Sequence, residues 1–459
     1  MLGHYGVRSA GKISRSPRLR SFQGWSMHRN RQWRIWLAAA VGLCAAVASV
    51  HTASADGLIR DGVGAISTGR GGTNIAHSDN GAVMLDNPAG IVNFEGRHFA
   101  ELSMDTLLTN ITYTDPDNYV HSSTQPVPLP EIAYYYTSED KRWAAGIGVY
   151  APAGFSASYM MENPMFGPGP QRYRSLGWYA KILPGIAFHV TDKLAIGAGL
   201  GIGISHVELD GPFYMQTGPL AGAPTRFDLT GTGAAPIWNI GLQYEVSERT
   251  TVGLAYNSDA NFGLKGDMHA NVYGLGPTPI SSDFNSRFAI TWPQSLGIGI
   301  KHLVTEQHRI STDVIWYDWH SAFDNYGVRL TNPSNPMVGA LLGPTIYDSI
   351  AVNWIDTVSV RLGYEWLATT SDTFRLGYVY HPSPVPASTL NPYTDGVLEH
   401  AFSTGYTHRW NNWLFSMAYQ YSFSPTRYVG QSSIVGGDFS NSSFKAQAHW
   451  ISLAVSRYF

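Results

Sequence analysis

The segment from Trp450 to Phe459 alternates between two kinds of side chain and ends on an aromatic residue. Ile451, Leu453 and Val455 would fall on one face of a strand, with serine and alanine on the other. Such period-two alternation predicts a β-strand with one apolar face. Bacterial outer-membrane barrels close with a strand of this kind, but a soluble sheet could also contain it. The pattern by itself therefore leaves both classes open.

The opposite end of the chain has the layout of a secretory signal peptide. Residues 1–34 contain eight basic residues and no acidic one, and the apolar run Ile35–Val50 follows. The small residues Ala53-Ser54-Ala55 then match a cleavage site. Because the apolar run is short for a membrane span of about 20 residues, we expect residues 1–55 to be a cleaved signal, with Met27 as an alternative start.

Removal of this signal changes the charge balance and the cysteine count. Without the eight basic residues of the signal, 22 basic residues remain against 33 acidic ones, a net charge of −11. An acidic chain argues against a nucleic-acid partner, which requires basic patches. The one cysteine, Cys44, lies within the signal, so a disulfide-stapled scaffold is not expected. No motif in the sequence implies a cofactor or a metal.

Several segments alternate over a length that suits a tilted transmembrane strand of about 9–11 residues. In Trp413–Phe423 the odd positions are large and apolar, and Leu194–Ser205 alternates apolar residues with Ala, Gly and Ser. Aromatic residues make up 13% of the chain and charged residues 14%, a balance that suits strands facing lipid with aromatic girdles. Only helices and closed barrels satisfy every backbone amide within a bilayer. We therefore predict an all-β fold, a transmembrane β-barrel spanning residues 95–459.

The alternating segments number fourteen, an even count as expected for a bacterial single-chain antiparallel barrel. Short polar turns would lie on the periplasmic side, and the longer connections 155–173, 212–230, 269–283, 331–349 and 428–442 would face outward. The segments are predicted to start near Glu95, Leu129, Arg142, Arg174, Lys193, Gly231, Arg249, Phe284, Glu306, Ile350, Ser371, Asp395, Asn412 and Ser443.

Residues 56–94 do not fit a barrel wall, because they are rich in Gly and small polar residues and show little alternation. A phosphate-binding loop is not indicated, since no Gly-Lys-Ser/Thr follows the glycines. From composition alone the segment could be a periplasmic tail or a plug inside the barrel.

The chain resembles the FadL/TodX family of outer-membrane transporters of hydrophobic compounds. The resemblance runs from about Asp56 to Phe459. It rests on Asn87-Pro88-Ala89 ahead of the strands, Trp292-Pro-Gln-Ser-Leu-Gly-Ile-Gly299, Asp313–Phe323 with its Trp and Ser residues, Phe374-Arg-Leu-Gly-Tyr378, and His381-Pro-Ser-Pro-Val-Pro386.

The resemblance implies a fourteen-stranded barrel that is plugged by an N-terminal hatch, here residues 56–94. It implies that Asn87, Pro88 and Ala89 belong to the hatch, and that ligand leaves sideways at a kink in the third strand. Pro152 and Gly154, which follow the predicted third strand, are our candidates for that gap, since Pro removes a ladder donor and Gly permits a bend.

The segment after the gap candidates is predicted to be an extracellular loop that contributes to an apolar capture groove. Methionine and aromatic side chains give an adaptable apolar surface for alkyl chains or rings. The alternative is that they only pack the loop onto the barrel. The groove candidates are Phe155, Tyr159, Met160, Met161, Met165 and Phe166.

The substrate implied by the resemblance is a hydrophobic small molecule, with long-chain fatty acids favoured. A fatty acid would call for a cation, and the candidates for its carboxylate partner are Arg172, Arg174, Arg361 and Arg375. The predicted fifth strand instead ends in the acidic sequence Val207-Glu-Leu-Asp210, which leaves room for an uncharged aromatic hydrocarbon.

Two other classes are considered. A barrel enzyme is disfavoured because neither His-Glu-x-x-His nor Gly-x-Ser-x-Gly occurs in the sequence. A diffusion porin would have an open lumen, whereas residues 56–94 predict occlusion. The expected location is the bacterial outer membrane, with membrane lipid around the barrel and the barrel assembly machinery contacting the C-terminal strand.

Replacing Pro88 by Ala tests the hatch assignment. We expect Pro88→Ala to change uptake of a hydrophobic ligand while the barrel still assembles, because the proline would constrain only the hatch backbone. Uptake assays on cells with equal amounts of heat-modifiable barrel would measure this. Unchanged uptake would contradict the assignment.

Overall fold

The fold is one antiparallel sheet that closes on itself. The computed structural model describes residues 58–459 apart from 124, 395 and 438, so the expected signal peptide lies outside the described residues. The first strand pairs with the last from Phe99↔Tyr458 to Thr114↔Ser443, which joins the two edges of the sheet. The barrel of fourteen strands that the sequence predicts is thereby confirmed.

Ten of the barrel strands are continuous and four consist of two collinear pieces. In chain order the strands are His98–Thr114, Val127–Thr137, Trp143–Glu162, Pro170–Thr191, Leu194–Tyr214, Pro224–Ser247, Thr250–Asn257 with Ala260–Val272, Ile280–Trp292 with Ser295–Thr305, His308–Tyr317 with Asn325–Thr331, Thr345–Ala351 with Thr357–Leu367, Asp372–Tyr380, His400–Trp410, Trp413–Phe423 and Ser442–Tyr458. We refer to them as the first to the fourteenth strand. Two three-residue strands, Tyr119–His121 and Arg427–Val429, extend loops.

Helices are few and short in the described residues. They comprise α-helices Gly64–Gly69, Val83–Asp86, Trp319–Ala322 and Pro336–Leu342, and 3-10 helices Pro88–Asn93, Pro164–Phe166, Gly218–Leu220 and Ala387–Thr389. None of the helices in this part of the chain has the length and apolar character needed to cross a membrane.

The outward face of the strands is apolar and the inward face is small or polar. Leu200 and Leu453 are 68% and 56% exposed on the outside, whereas Ser205 and Ser452 are buried on the inside. Apolar side chains exposed to lipid carry no hydrophobic penalty, so the sheet can present them outward. The alternation seen in the sequence therefore translates directly into a lipid face and a lumen face.

The third and fourth strands are longer than the sequence predicts. The third strand ends at Glu162 and the fourth begins at Pro170, so most of the expected loop 155–173 is a β-hairpin. Only the 3-10 helix Pro164–Phe166 and its flanks form a connection. Continued pairing satisfies the backbone hydrogen-bonding groups of these residues. The sequence does not predict the extension, because small residues such as Ser156 and Ala157 interrupt the alternation of polar and apolar side chains.

A charge on the lipid face tests the orientation of the fourteenth strand. Leu453 lies six residues before Phe459, near the middle of the lipid band, and Leu453→Arg is expected to lower the free energy of unfolding in bilayers by roughly 2–4 kcal/mol. Urea titrations in phosphatidylcholine vesicles would measure the change. The control Tyr428→Arg, at a residue that is 73% exposed on Arg427–Val429, should cost far less, and equal losses would contradict the orientation.

Candidate functional site

Residues 58–94, here called the N-terminal segment, pack inside the barrel. Asp313 of the ninth strand accepts hydrogen bonds from the backbone N–H groups of Asn74 and Ile75 at 2.6 and 3.0 Å. Gln243 of the sixth strand donates to the carbonyl oxygen of Ile75 at 3.0 Å. Strands on different sides of a closed barrel can reach one residue only from the lumen.

Glycines on the barrel wall let the N-terminal segment approach the strand backbone closely. A Cβ at Gly241 would lie 1.9 Å from Oδ1 of Asn87, and one at Gly253 would lie 2.3 Å from the carbonyl oxygen of Ile75. No side chain fits at either position, so glycine is required for this approach.

Arg70 joins the N-terminal segment to the wall through a network of charges. Its side chain is fully buried and donates to Asp79 at 2.8 and 2.9 Å, and its guanidinium lies 3.6 Å from Glu365. Glu365 of the tenth strand also pairs with Arg375 at 2.8 Å and with Arg309 at 3.1 Å. The two carboxylates are therefore shared among three arginines.

The ligand atoms of His77, Asp79 and Glu365 lie within 4.8 Å of one another, a spacing that could hold a metal ion. However, burial and the neighbouring Arg70 lower the pKa of His77 to about 3, and the two carboxylates already carry arginine partners. A cation would have to compete with those arginines. The geometry therefore fits a structural ion network better than a metal centre.

A second buried arginine anchors the beginning of the N-terminal segment. Arg60 pairs with Asp105 of the first strand and with Glu131 of the second strand, the latter at 2.9 Å. Its guanidinium also lies 5.0 Å from the ring centroid of Trp450. All four side chains are largely buried, so each charge depends on its partner.

Asn87, Pro88 and Ala89 form a capped turn against the sixth strand. The Asn87 side chain accepts from the backbone N–H of Ala89 at 3.1 Å and donates to the carbonyl oxygens of Ile75 and Leu242 at 2.7 and 3.0 Å. Pro88 occupies the first position of the 3-10 helix, where a missing N–H is tolerated. The motif thus ties two parts of the segment to the wall.

The pairing of the second and third strands stops partway along the barrel. It runs from Thr137↔Ala144 to Ile132↔Val149, and the third strand continues without this partner. The pairing with the fourth strand is irregular between Tyr150 and Ala153. Residues 150–154, here called the strand-three break, include both predicted gap candidates, Pro152 and Gly154.

The first described residues pair with the exposed edge of this break. The backbone N–H of Gly154 donates to the carbonyl oxygen of Leu58 at 2.9 Å, and the N–H of Arg60 donates to the carbonyl oxygen of Pro152 at 3.0 Å. Part of the edge is therefore satisfied by the N-terminal segment. Displacement of Leu58–Arg60 would leave these backbone groups without their partners.

A small pocket of about 80 Å³, here called the lumenal pocket, lies between the N-terminal segment and the break. Pro152 and Ala153 line one side, and Tyr179, Lys181 and Trp292 line another. The rings of Tyr179 and Trp292 stack at a centroid distance of 5.5 Å, and Nζ of Lys181 lies 5.3 Å from the Tyr179 centroid. The pocket combines aromatic surface with charged groups, the cations Arg60, Lys181 and Arg361 and the carboxylates Asp61, Asp86 and Asp313.

A second cavity, here called the apolar cavity, has a volume of about 150 Å³. Of the described residues that line it, none is Lys or Arg, and most are aliphatic or aromatic. The lining residues include Phe155, Leu229, Met268, Phe288, Ile290 and Val328.

The apolar cavity and the lumenal pocket are neighbours along two strands. Ala153 lines the pocket and Phe155 the cavity, while Trp292 lines the pocket and Ile290 the cavity. Inward-facing residues two positions apart on a strand are separated by about 7 Å. A ligand in the apolar cavity therefore lies about two residues along a strand, or about 7 Å, from the lumenal pocket and the strand-three break.

The structure disperses the six groove candidates. Phe155 lines the apolar cavity, Tyr159 and Met161 are buried on the inward face, and Met160 and Met165 are exposed. Phe166 contacts the rings of Tyr214 and Tyr273. Because the segment is mostly strand, alternate side chains point to opposite faces and cannot share one groove surface.

The four arginines predicted to receive a carboxylate all have protein partners. Arg172 pairs with Asp210, and Arg174 pairs with Glu208 at 2.7 Å. Arg361 donates to the carbonyl oxygen of Asp61 and to the hydroxyl of Tyr317, and Arg375 pairs with Glu365. A ligand carboxylate would have to displace one of these groups.

Lys181 is a lumenal cation that the sequence analysis did not single out. Among the described residues no carboxylate lies within ion-pair distance of it. Its position next to Tyr179 in the alternating fourth strand gave no motif to recognise. The one sequence feature that could have identified Lys181 is its charge at a position that the alternation assigns to the lumen.

Comparison with known proteins identifies the family. Residues 44–459 match the family model described as outer membrane protein transport protein (OMPP1/FadL/TodX). The chain belongs to this family. It is thus an outer-membrane barrel of a family that transports hydrophobic compounds. A Neisseria meningitidis serogroup B protein, described as an outer membrane protein, is 23% identical over 383 residues, which cover 75% of this chain and 80% of that protein.

Solved structures of the family share the fold. A Pseudomonas aeruginosa FadL homologue is 15% identical, covers 88% of this chain and 99% of its own, and has a TM-score of 0.70. The P. putida toluene transporter TodX is 19% identical with a TM-score of 0.71, and the Ralstonia pickettii toluene transporter TbuX is 21% identical with a TM-score of 0.69. Each of these two covers 87% of this chain and 99% of its own.

Two glycines of the seventh strand test the docking of the N-terminal segment. Gly253→Ala is expected to displace the segment because the added Cβ would meet the Ile75 carbonyl oxygen, whereas Gly263→Ala has no atom within 4 Å of the new Cβ. Limited proteolysis of the folded barrel would measure exposure of residues 58–94. Equal protection of both variants would contradict the close approach.

Proposed function

We propose that this protein carries out passive uptake of hydrophobic compounds across the outer membrane, with long-chain fatty acids as the favoured substrates. Family membership supports the transport of hydrophobic compounds. The fatty-acid assignment rests on one observation, an apolar cavity that adjoins a pocket containing the half-buried Lys181. An alkyl chain would occupy the cavity while its carboxylate meets the cation.

The N-terminal segment is proposed to act as a hatch that controls the exit from the lumenal pocket. Leu58–Arg60 would leave the strand-three break when ligand fills the pocket, and Pro152 and Gly154 would form the edges of a lateral gap. Asn87, Pro88 and Ala89 would hold the remainder of the hatch against the wall. The driving force is the ligand's own concentration gradient, so no cofactor enters the scheme.

Uncharged aromatic hydrocarbons are the second candidate substrates. The apolar cavity offers no basic residue among its described lining residues, and its volume of about 150 Å³ suits a compact ring. Two of the structural neighbours are toluene transporters by name, although their identities to this chain are 19% and 21%. A diffusion porin is less well supported, because the N-terminal segment fills part of the lumen.

Replacement of Lys181 separates the two substrate classes. We expect Lys181→Met to weaken palmitate binding by about tenfold, the factor that 1.4 kcal/mol represents, because the carboxylate loses its cation. Binding of toluene should change little, since toluene carries no charge. Tryptophan fluorescence titration of the protein in detergent would measure both, with Trp292 in the pocket as a reporter.

The matched control is Lys301→Met. Lys301 lines a separate cavity of about 930 Å³, which Ser78 and Asp79 of the N-terminal segment also line. The control variant should leave palmitate binding unchanged. Equal palmitate affinity in the Lys181 variant and the parent would contradict the carboxylate assignment. Saturable binding of toluene alone would favour the aromatic hydrocarbons, and binding of neither would favour the porin.

A further inference from the structure

The pairing of the eighth and ninth strands is interrupted in the upper part of the barrel. The upper ladder runs from Asn285↔Thr331 to Phe288↔Val328, and the lower ladder resumes at Ser295↔Tyr317. Between them, residues 289–292 pair only with the seventh strand, and they face residues 319–327, which begin with a short helix. We call this interruption the eight–nine break.

The apolar cavity and an outer trough lie on opposite sides of this break. The trough, with a volume of about 640 Å³, is lined on its outward face by the small residues Gly263, Ala289, Gly327 and Ser349. Phe288 and Val328 line both the trough and the cavity. Only the thickness of the strand backbone therefore separates the exterior from the apolar cavity at this level.

The trough carries three positive charges in a row. Arg287 is the register partner of Lys265 on one side and of Arg329 on the other, and all three are exposed. Like charges directly opposite each other on a sheet destabilise it. Among the described residues none of the three has a carboxylate within ion-pair distance, although Arg329 lies 5.9 Å from the Tyr347 ring centroid.

The acidic residue of the trough is already engaged. Asp348 accepts hydrogen bonds from the backbone N–H groups of Gln216 and Thr217 at 3.1 and 2.8 Å. The row of cations is therefore left for an external anion. This contrasts with Arg172, Arg174 and Arg375, whose guanidinium groups are each paired with a carboxylate of the protein.

The trough lies above the lipid band on the side of the long loops. The outward rings of Trp238 and Tyr256, whose centroids are 5.0 Å apart, mark an aromatic girdle. Lys265 is nine positions beyond Tyr256 on the seventh strand, which corresponds to roughly 20 Å along the axis of a tilted barrel. An ionised amphiphile can reach this level from water or from the headgroup layer.

We propose that the eight–nine break is a side entrance for anionic amphiphiles. The carboxylate would bind between Lys265, Arg287 and Arg329, while the alkyl chain passes between Ala289 and Gly327 into the apolar cavity. This inference rests on the proposed function, since it supplies the fatty acid to the cavity and to Lys181. It places capture on the outer wall, distinct from release at the strand-three break.

A reversible block of the trough tests the entrance. In a Cys44→Ser background, Gly327→Cys is labelled with a bulky methanethiosulfonate reagent, and uptake of labelled palmitate is measured in cells before and after reduction. A Cβ at Gly327 has only Ser349 at 4.0 Å, so the substitution is tolerated. Uptake should fall by about tenfold and return on reduction, whereas labelled Tyr428→Cys, on an exposed loop strand, should transport normally.

The charge row is tested by Arg287→Gln/Arg329→Gln against the control Arg249→Gln, an exposed arginine paired with Glu306 elsewhere on the barrel. The double variant should lower palmitate uptake and leave toluene uptake unchanged. Normal palmitate uptake by both the labelled protein and the double variant would overturn the entrance. If palmitate uptake stays normal and the double variant no longer co-purifies with lipopolysaccharide, the row binds that lipid instead of a fatty acid. Failure of the unlabelled parent to take up palmitate would overturn the proposed substrate itself.

Discussion

The fold depends on the requirement that a bilayer leaves no backbone hydrogen-bonding group unsatisfied. The register between the first and last strands, from Phe99↔Tyr458 to Thr114↔Ser443, meets this requirement by removing both edges of the sheet. Where the ladder is interrupted, the free backbone N–H and C=O groups therefore need other hydrogen-bond partners. At the strand-three break the N-terminal segment supplies some of them, and the eight–nine break lies where the barrel has risen above the hydrocarbon. The positions of the interruptions thus follow from the same constraint as the closure.

Buried charge determines how the N-terminal segment is held. Arg60 and Arg70 bring positive charge into the lumen, and Asp105, Glu131 and Glu365 of the wall neutralise it. Removing one partner of such a pair costs about 3–5 kcal/mol because the other charge remains buried. The segment as a whole is therefore expected to stay docked, while movement is confined to the backbone of Leu58–Arg60, which pairs with Pro152 and Gly154 at the strand-three break.

Two cationic sites whose side chains have no ion-pair partner among the described residues distinguish the transport path from the structural network. Lys181 lies in the lumenal pocket, and the row containing Arg287 lies outside the eight–nine break. Between them the apolar cavity offers a largely apolar surface without Lys or Arg among its described lining residues. An amphiphile would thus meet a cation, an apolar space and a second cation in succession, and the same path without its cations would serve a neutral hydrocarbon. The substrate class therefore depends on a small number of charges rather than on the barrel.

The sequence by itself determined the barrel and its strand number. Composition left residues 56–94 as either a periplasmic tail or a plug, and the plug was implied only by the resemblance to the family. Period-two alternation is a local property, and the resemblance to the family rests on contiguous motifs. Only the tertiary structure decided which cations are free. Arg172 and Arg174 looked available in the sequence, but Asp210 and Glu208 come within ion-pair distance of them once the fourth and fifth strands pair. Lys181 gave no motif, and the row of Lys265, Arg287 and Arg329 joins residues from three strands. Whether a charged side chain is available to a ligand depends on its neighbours in space. Strand register places those neighbours, and no single segment of the sequence specifies the register.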